Sequence, residues 1–402
     1  MTSVHKALLF CAAMMFCCGQ TQHQTVSSPF EYREVYLPEL PFNEGKMLFL
    51  NSVDRDWGIW GHNLSVVIPK NPSPSVYAKS GNSINSDQFC FTSDVLFDYI
   101  KDYIEKNYGH DNTTRFAILP NDNSVVCTCQ HCVECGNTRT DASGAVYYLL
   151  ERLTAAFPKH IFFSSYYNTT RSLPSKPLPG NAGVLISAMS YPLSAVHTQQ
   201  EDEFELLLNS WAEYTKHMYV WDYINNFDDY FTPVPVFDVV QRRLRLYAKC
   251  GVKGVFFNGS GPDYSTMSRL KTHVIAAMLI DPDVEWRPLL KELCSELYPV
   301  SGKVISDFII RQEDMFTASG RSLPLYEGVP VAAKIYLPVQ EFMRFHSELL
   351  NIIPNIKDPE LSEIQQMRRA MMLTHLELNR ITADTVGSRR MLEGLERLVQ
   401  QE

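Results

Sequence analysis

Met218-Tyr-Val-Trp221, the amphipathic stretch Val236–Lys249 and Val252-Lys-Gly-Val-Phe-Phe257 form the segment that decides the fold. A short apolar run, a helix-length stretch with one apolar face, and a second short apolar run make a βαβ unit. Such a unit implies parallel strands joined by a helical crossover. The same alternation extends upstream. Ile161–Tyr167 and Val184–Met189 read as strands, with a helix over Glu203–Lys216 before Met218. A helix over Ser143–Phe157 precedes Ile161 and is stopped by Pro158. Phe116-Ala-Ile-Leu119 is a short buried strand. Ser93 is placed to cap a helix running to Tyr108, with Gly109 just beyond its end. Phe30–Tyr36 alternates as a first strand, a helix is expected over Asn43–Val53, and Pro69–Ser86 reads as loop.

Downstream, Ser265–Leu279 reads as the last helix of this series. After Pro282 the pattern is helical only, over Trp286–Tyr298, Gly302–Phe316, Val331–Ile353 and Leu361–Val399. The fold class expected is therefore α/β: a (β/α)8 TIM barrel over residues 29–283, then a helical region over 284–402. A barrel of about 250 residues plus an appendage fits the length of 402. With the Val252 strand as the eighth, the Phe116 strand is the fourth and the Met218 strand the seventh.

The net charge of −9 argues against a nucleic-acid partner, which would require a basic surface. Residues 1–18 read as a signal peptide, with His5 and Lys6 ahead of an apolar run ending in Cys17-Cys18, and 19–28 read as a polar linker. The run is too short to span a bilayer. A cysteine there points to lipidation, so the chain is expected at the periplasm or cell surface, anchored to the outer membrane through Cys17 or Cys18.

Cys127-Thr-Cys129-Gln-His-Cys132-Val-Glu-Cys135 is the most specific local pattern, and Cys90 lies upstream before a helix. Cys90, Cys127, Cys129 and Cys132 suit a tetrahedral structural zinc site, with Cys135 able to replace one of them. In an exported protein, disulfides are the alternative. No organic cofactor is implied. Cys250 and Cys294 read as buried core thiols.

In a barrel of this type, chemistry sits at the C-terminal ends of the strands. Asp122 follows the Phe116 strand and Asp222 follows the Met218 strand, across the mouth from each other. A glycosidase needs one carboxylic acid to protonate the leaving oxygen and a second group as nucleophile or base. Asp122 and Asp222 are the expected catalytic pair, although Asp after a strand also serves as a helix cap or turn former. Glu34, at the end of the first strand, is a third candidate carboxylate, and with its neighbour Arg33 it is equally suited to binding a substrate hydroxyl or carboxylate. Trp57, Trp60, His62 and Asn63 form a loop suited to sugar stacking, or to a buried lid. Asn121, Tyr166, Tyr191, Trp221, Tyr223, Asn225, Asn226 and Asn258 lie at strand ends and could line the mouth. A Gly-rich turn, Asn258-Gly-Ser260-Gly, lacks the basic neighbour a phosphate site would want.

With these residues the chain resembles domain-of-unknown-function family 4838, exported bacterial proteins regarded as glycoside-hydrolase-like. The matching pieces include Phe30-Glu-Tyr-Arg-Glu34, Trp60-Gly-His62, Phe89-Cys90-Phe91, Pro120-Asn-Asp122, the Cys127/Cys129/Cys132 knuckle, Tyr219–Phe227 and Gly251–Phe256. The resemblance implies a small α/β domain ahead of the barrel in many relatives, which is not expected here, and an acid where Phe257 stands. The chain departs from the family at that position. A looser similarity is to clan A glycosidases with a four-cysteine zinc site. It implies an acid/base on strand four and a nucleophile on strand seven, with Asp here in place of Glu. The function expected is hydrolysis of an oligo- or polysaccharide by two carboxylates. The alternative is a catalytically silent glycan-binding surface lipoprotein on the same barrel.

Overall fold

The computed structural model describes residues 27–37, 48–81, 83–259 and 265–382. The leader with its paired cysteines, the start of the expected Asn43 helix, Ser260 and Gly261, and the last part of the Leu361 helix lie outside those residues. The chain runs β1 (Tyr32–Tyr36), α1 (Val53–Asp56), β2 (Trp57–Ile59), β3 (Tyr77–Ser80), β4 (Ser83–Phe89), α2 (Asp94–Asn107), β5 (Arg115–Ala117), α3 (Gln130–Glu134) and α4 (Ser143–Ala156). It continues with β6 (Ile161–Tyr166), β7 (Ala182–Ser187), α5 (Gln199–Ala212), β8 (His217–Tyr223), α6 (Phe237–Lys249), β9 (Gly254–Asn258) and α7 (Ser268–Ile280). The helices α8 (Trp286–Leu297), α9 (Gly302–Ser319), α10 (Val329–Ile335), α11 (Val339–Ile352) and α12 (Glu360–Ile381) follow.

Seven strands form one curled parallel sheet in the order β1-β9-β8-β7-β6-β5-β2. Eight were expected. Among the described residues β1 and β2 are the two edges, and the gap between them is bridged by chain rather than by a strand. The Asn51 backbone N–H donates to the Arg33 carbonyl at 2.7 Å. Asn51 Oδ1 accepts from the Arg33 N–H at 2.9 Å, and the Val53 N–H donates to Glu34 Oε1 at 3.0 Å. Tyr32 and Trp57 rings meet edge to face across the gap, 5.8 Å apart. In chain order β5 and β8 are the third and sixth strands of the sheet, and β6 and β7 stand between them.

Side chains alternate between the two faces of each strand. Tyr32, Trp57, Ala117, Phe163, Leu185, Tyr219 and Phe256 fill the interior of the curl. Val35, Val184, Ile186, Met218, Val220, Val255 and Phe257 pack outward against the helices. Gly254 is required where β9 passes Tyr219, because a Cβ there would lie 2.4 Å from the tyrosine ring. At the foot of the curl, Arg115 Nε donates to the Tyr219 hydroxyl at 3.0 Å, which donates to Glu31 at 2.7 Å. The interior is thus a packed core, and only its mouth is open to a ligand.

The stretch expected as loop before Phe89 instead holds the antiparallel hairpin β3–β4. Ser93 caps α2 by accepting the Leu96 N–H. The single helix expected over Val331–Ile353 is two, α10 and α11, interrupted at Pro338. The C-terminal helices share one apolar core with the helices around the sheet. The buried Glu313 of α9 accepts the N–H groups of Phe237 and Asp238 at 2.7 and 3.2 Å, so α9 caps α6. Burial pushes the Glu313 carboxyl up to about 8. Among the described residues no helix is long and apolar enough to cross a membrane.

Candidate active site

A cleft of about 200 Å³ opens at the C-terminal ends of the strands. Its floor is apolar, from Leu119 and Leu185, and polar groups come from His62, Asp122, Ser165, Ser187 and Asn258. Trp221, Tyr223 and Tyr167 form the walls, and Phe227 and Tyr326 the outer rim.

Asp122 is exposed on the loop after β5. The β3–β4 hairpin fixes that loop. Gln88, almost wholly buried, accepts the Asn121 N–H at 3.0 Å and donates to the Asn121 carbonyl at 3.1 Å and to Asn123 Oδ1 at 3.2 Å. Asn121 Nδ2 donates to the Asp87 carbonyl at 2.8 Å, so Asn121 anchors the loop and its amide is occupied there. On the other side, Asn168 turns its amide to Asp122 Oδ1 at 3.1 Å. Asn168 sits at φ 47°, a conformation asparagine tolerates better than most residues. The Asp122 charge also bears on Tyr167, whose hydroxyl pKa is raised by burial first and by Asp122 second. His62 Nδ1 lies 2.6 Å from the Pro120 carbonyl. A carbonyl only accepts, so Nδ1 carries the proton and a neutral His62 offers Nε2 as an acceptor.

Trp221 is the large flat surface of the cleft. Trp60 stacks on it with centroids 4.9 Å apart and planes at 19°, and Phe256 meets its edge at 5.0 Å. Trp60 therefore supports the platform from behind. Trp57 is buried a layer deeper, against Tyr32 and Phe163. Tyr223 lines the wall, its hydroxyl 3.3 Å from that of Ser187.

The pairing of Asp222 with Asp122 is corrected by the structure. Trp221 and Asp222 are neighbours in one strand and so face opposite sides of the sheet. Asp222, 1% exposed, points outward to α6. There it accepts the Tyr247 hydroxyl at 2.5 Å and lies 3.8 Å from Arg243 Nη1, while its other oxygen accepts the Tyr223 N–H at 2.8 Å. The same alternation turns Tyr166 outward onto Trp211, and its neighbour Tyr167 takes the cleft. It also turns Phe257 into the helical layer, away from the mouth, so the acid expected at that position from the resemblance would not have faced the cleft.

Arg33 donates to the Phe49 carbonyl at 2.9 Å and holds the segment that bridges the sheet edges. Glu34 faces the interior, accepting from Val53 N–H and from the Tyr32 hydroxyl, and burial raises its carboxyl to about 7. It stands in register with Phe256, which pairs with Trp221, yet it does not line the cleft. Asn63 is exposed beside the cleft and begins a short 3-10 turn. Asn225 is buried on Ser265, and Asn226 donates to the Glu327 carbonyl at 3.0 Å, so both hold loops. Tyr191 stacks on Phe204 in the helical layer.

Sequence reasoning missed Ser165, Tyr167, Ser187, Met189, Phe227 and Tyr326 in the lining, and Gln88 behind it. A period-two reading that placed Trp221 inward would have placed Ser187 inward too, since the two are register partners. Nothing local to Tyr326 marks it as a site residue.

Beside the cleft, Cys90, Cys127, Cys129 and Cys132 bring their sulfurs within 4.8 Å of one another. Cys90 Sγ lies 3.7 Å from the sulfurs of both Cys129 and Cys132. Four bonds of about 2.3 Å to a tetrahedral zinc would space the sulfurs at about 3.8 Å. A disulfide would bring two sulfurs to about 2.05 Å, and none of the described cysteines is so paired. The donor set fits a metal. Lys79 N–H, at the hairpin, donates to Cys127 Sγ at 3.2 Å, as expected for a sulfur carrying negative charge. Cys135 stands outside the set, while Cys250 and Cys294 are buried as core thiols.

Solved structures similar to the chain include a family 138 glycoside hydrolase targeting pectin rhamnogalacturonan II, at 8% identity and a TM-score of 0.37 over 87% of this chain and 54% of that one. Another is a family 89 glycoside hydrolase from Clostridium perfringens in complex with GlcNAc-alpha-1,4-galactose, at 12% identity and a TM-score of 0.44 over 90% of this chain and 39% of that one. The chain thus spans about half or less of the length of these structures. No curated protein matches it. Residues 26–309, well over half of the chain, match the family model described as a domain of unknown function, and the chain belongs to that family, DUF4838.

Proposed function

We propose that the protein recognises a complex glycan in the cleft at the strand ends and acts on a glycosidic bond there, with Asp122 as general acid/base. The observation that carries this reading is the juxtaposition of the Trp221 platform with the Asp122 carboxyl in one open cleft. An indole face takes the apolar C–H face of a sugar ring, and its indole area is amphipathic enough to sit half in water. His62, Ser187 and Asn258 offer hydrogen-bonding groups to the ring hydroxyls, and a few such groups fix orientation in an otherwise apolar pocket. A carboxyl at the rim is placed to give a proton to the leaving oxygen.

Asp122 is the one carboxylate among the described lining residues. This favours a second reading, glycan capture without turnover on the same curled sheet. Where hydrolysis does occur, the nucleophile role falls to a group other than Asp222.

The four cysteines are proposed to hold a structural zinc ion. The ion would clamp the loop after β5 to the β3–β4 hairpin and leave no coordination position open, so the chemistry it supplies is rigidity at the base of the Asp122 loop. The leader is proposed to export the chain and attach it by lipid at Cys17 or Cys18, which would place the cleft at the cell envelope.

The test is release of sugar from a panel of aryl glycosides and cell-wall polysaccharides by wild type and Asp122→Asn. The expected outcome is turnover by wild type and a loss of about a hundredfold or more in the variant. Turnover that persists in Asp122→Asn overturns the acid assignment. Binding by wild type without turnover establishes the second reading.

A further inference from the structure

We propose that Tyr326, carried on a strap from the C-terminal helical region, forms with Phe227 an outer stacking subsite, so that the ligand spans at least two sugar rings. This rests on the glycan reading above and adds where a second ring is read.

The strap is the connection from α9 to α10, Gly320–Gly328. It lies beyond the family match, which ends at residue 309. It is fastened to two different loops at the mouth. The Ala195 N–H donates to the Arg321 carbonyl at 2.8 Å, and the Leu323 N–H to the Leu193 carbonyl at 2.7 Å, which ties the strap to the loop after β7. The Phe227 N–H donates to the Leu325 carbonyl at 2.7 Å, and the Glu327 N–H to Asp228 Oδ2 at 2.9 Å, which ties it to the loop after β8. Asn226 Nδ2 closes the set on the Glu327 carbonyl. Glu327 is held at φ 85°, a strained value for a side-chain-bearing residue that persists only where the surroundings over-determine it.

So much fixing positions one side chain that packs on little. Tyr326 is 50% exposed, and its ring meets Phe227 at 6.2 Å while both line the cleft. Phe227 in turn meets Tyr223 edge to face at 5.8 Å. Two aromatic rings thus stand at the rim, outside the Trp221 platform and continuous with it through Tyr223. A rigidly presented aromatic pair at the lip of a cleft offers a ring face on which the apolar face of a sugar can stack. A glycan that extends from the Trp221 platform past Tyr223 passes over this rim. Tyr326 is therefore read as a specificity residue for the second ring.

The test uses calorimetric binding of methyl glycosides of glucose, galactose, N-acetylglucosamine and rhamnose, and of disaccharides of the same sugars, to the full chain. Wild type is expected to favour a disaccharide over its methyl glycoside by about tenfold. Tyr326→Ala should lower the disaccharide to the monosaccharide affinity and leave the monosaccharide unchanged. Tyr326→Phe should retain the preference. Equal loss for both ligands, or no loss for either, in a Tyr326→Ala variant that melts like wild type overturns the inference. Wild type that binds none of the probes overturns the glycan reading and this inference with it.

Discussion

Asp222→Asn separates support from chemistry. The native carboxylate is 1% exposed, accepts the Tyr247 hydroxyl and the Tyr223 N–H, and faces the guanidinium of Arg243, itself 1% exposed. Removing one partner of a buried ion pair costs roughly 3–5 kcal/mol. Here the cost should fall at or below that range. Arg243 keeps the Pro192 carbonyl at 3.0 Å and Glu201 at 3.9 Å, so it is not left alone. Asparagine also keeps one oxygen for the Tyr247 hydroxyl, and losing a charge-assisted bond costs about 2 kcal/mol. Asp222→Asn should therefore destabilise by about 2 kcal/mol, and Asp222→Ala by about 3 kcal/mol. Urea unfolding followed by tryptophan fluorescence reads both. Glycan turnover or binding measured well below the melting temperature should stay within a few-fold of wild type. Wild-type stability combined with loss of activity in Asp222→Asn would refute the outward-facing, structural assignment.

Three further outcomes follow from the same structure. Glu34 is held at about 7 by burial, above its ordinary value of 4.5, so the folded chain keeps a proton that the unfolded chain has released. Stability should fall as pH rises from about 4.5 through about 7 and level off above, by a total of about 3 kcal/mol from this group. Glu34→Gln should flatten that slope in denaturant titrations across the range, and an unchanged slope would contradict it. Purified protein should carry one zinc per chain by elemental analysis. Cys132→Ser should lose zinc and stability together while Cys250→Ser keeps the metal, and retention of zinc by Cys132→Ser would count against the four-thiol site. Trp221→Ala should abolish glycan binding, measured by calorimetry, with Asp122→Asn still binding; equal affinity in Trp221→Ala and wild type would remove the platform.

The alternation of short apolar runs with amphipathic helices was enough to read parallel strands joined by helices, because that period is local, but the closed eight-stranded barrel expected from it is a curled sheet of seven strands among the described residues. The cysteine knuckle was readable for the same reason, since three of the four clustered cysteines, Cys127, Cys129 and Cys132, lie close together in the chain. Which face of each strand lies inward was not readable. Strands covered on both sides are apolar on both sides. In β8, Met218 and Val220 are as hydrophobic as Tyr219 and Trp221, so Trp221 and Asp222 looked equally placed for the mouth. The choice between Tyr166 and Tyr167, and between Phe256 and Phe257, was ambiguous in the same way. The β3–β4 hairpin was read as loop because most of Ser83–Asp87 is solvated and polar. Tyr326 reaches the cleft through contacts with residues about a hundred positions earlier, such as Asn226 with Glu327. No local pattern carries such a contact.

The most direct test is a crystal structure of Asp122→Asn soaked with an oligosaccharide that wild type binds or cleaves. The account predicts one sugar ring lying on Trp221, a glycosidic oxygen within hydrogen-bonding reach of residue 122, and the next ring against Tyr326. Sugar bound away from the cleft, or bound in it with no ring on Trp221, would contradict the account.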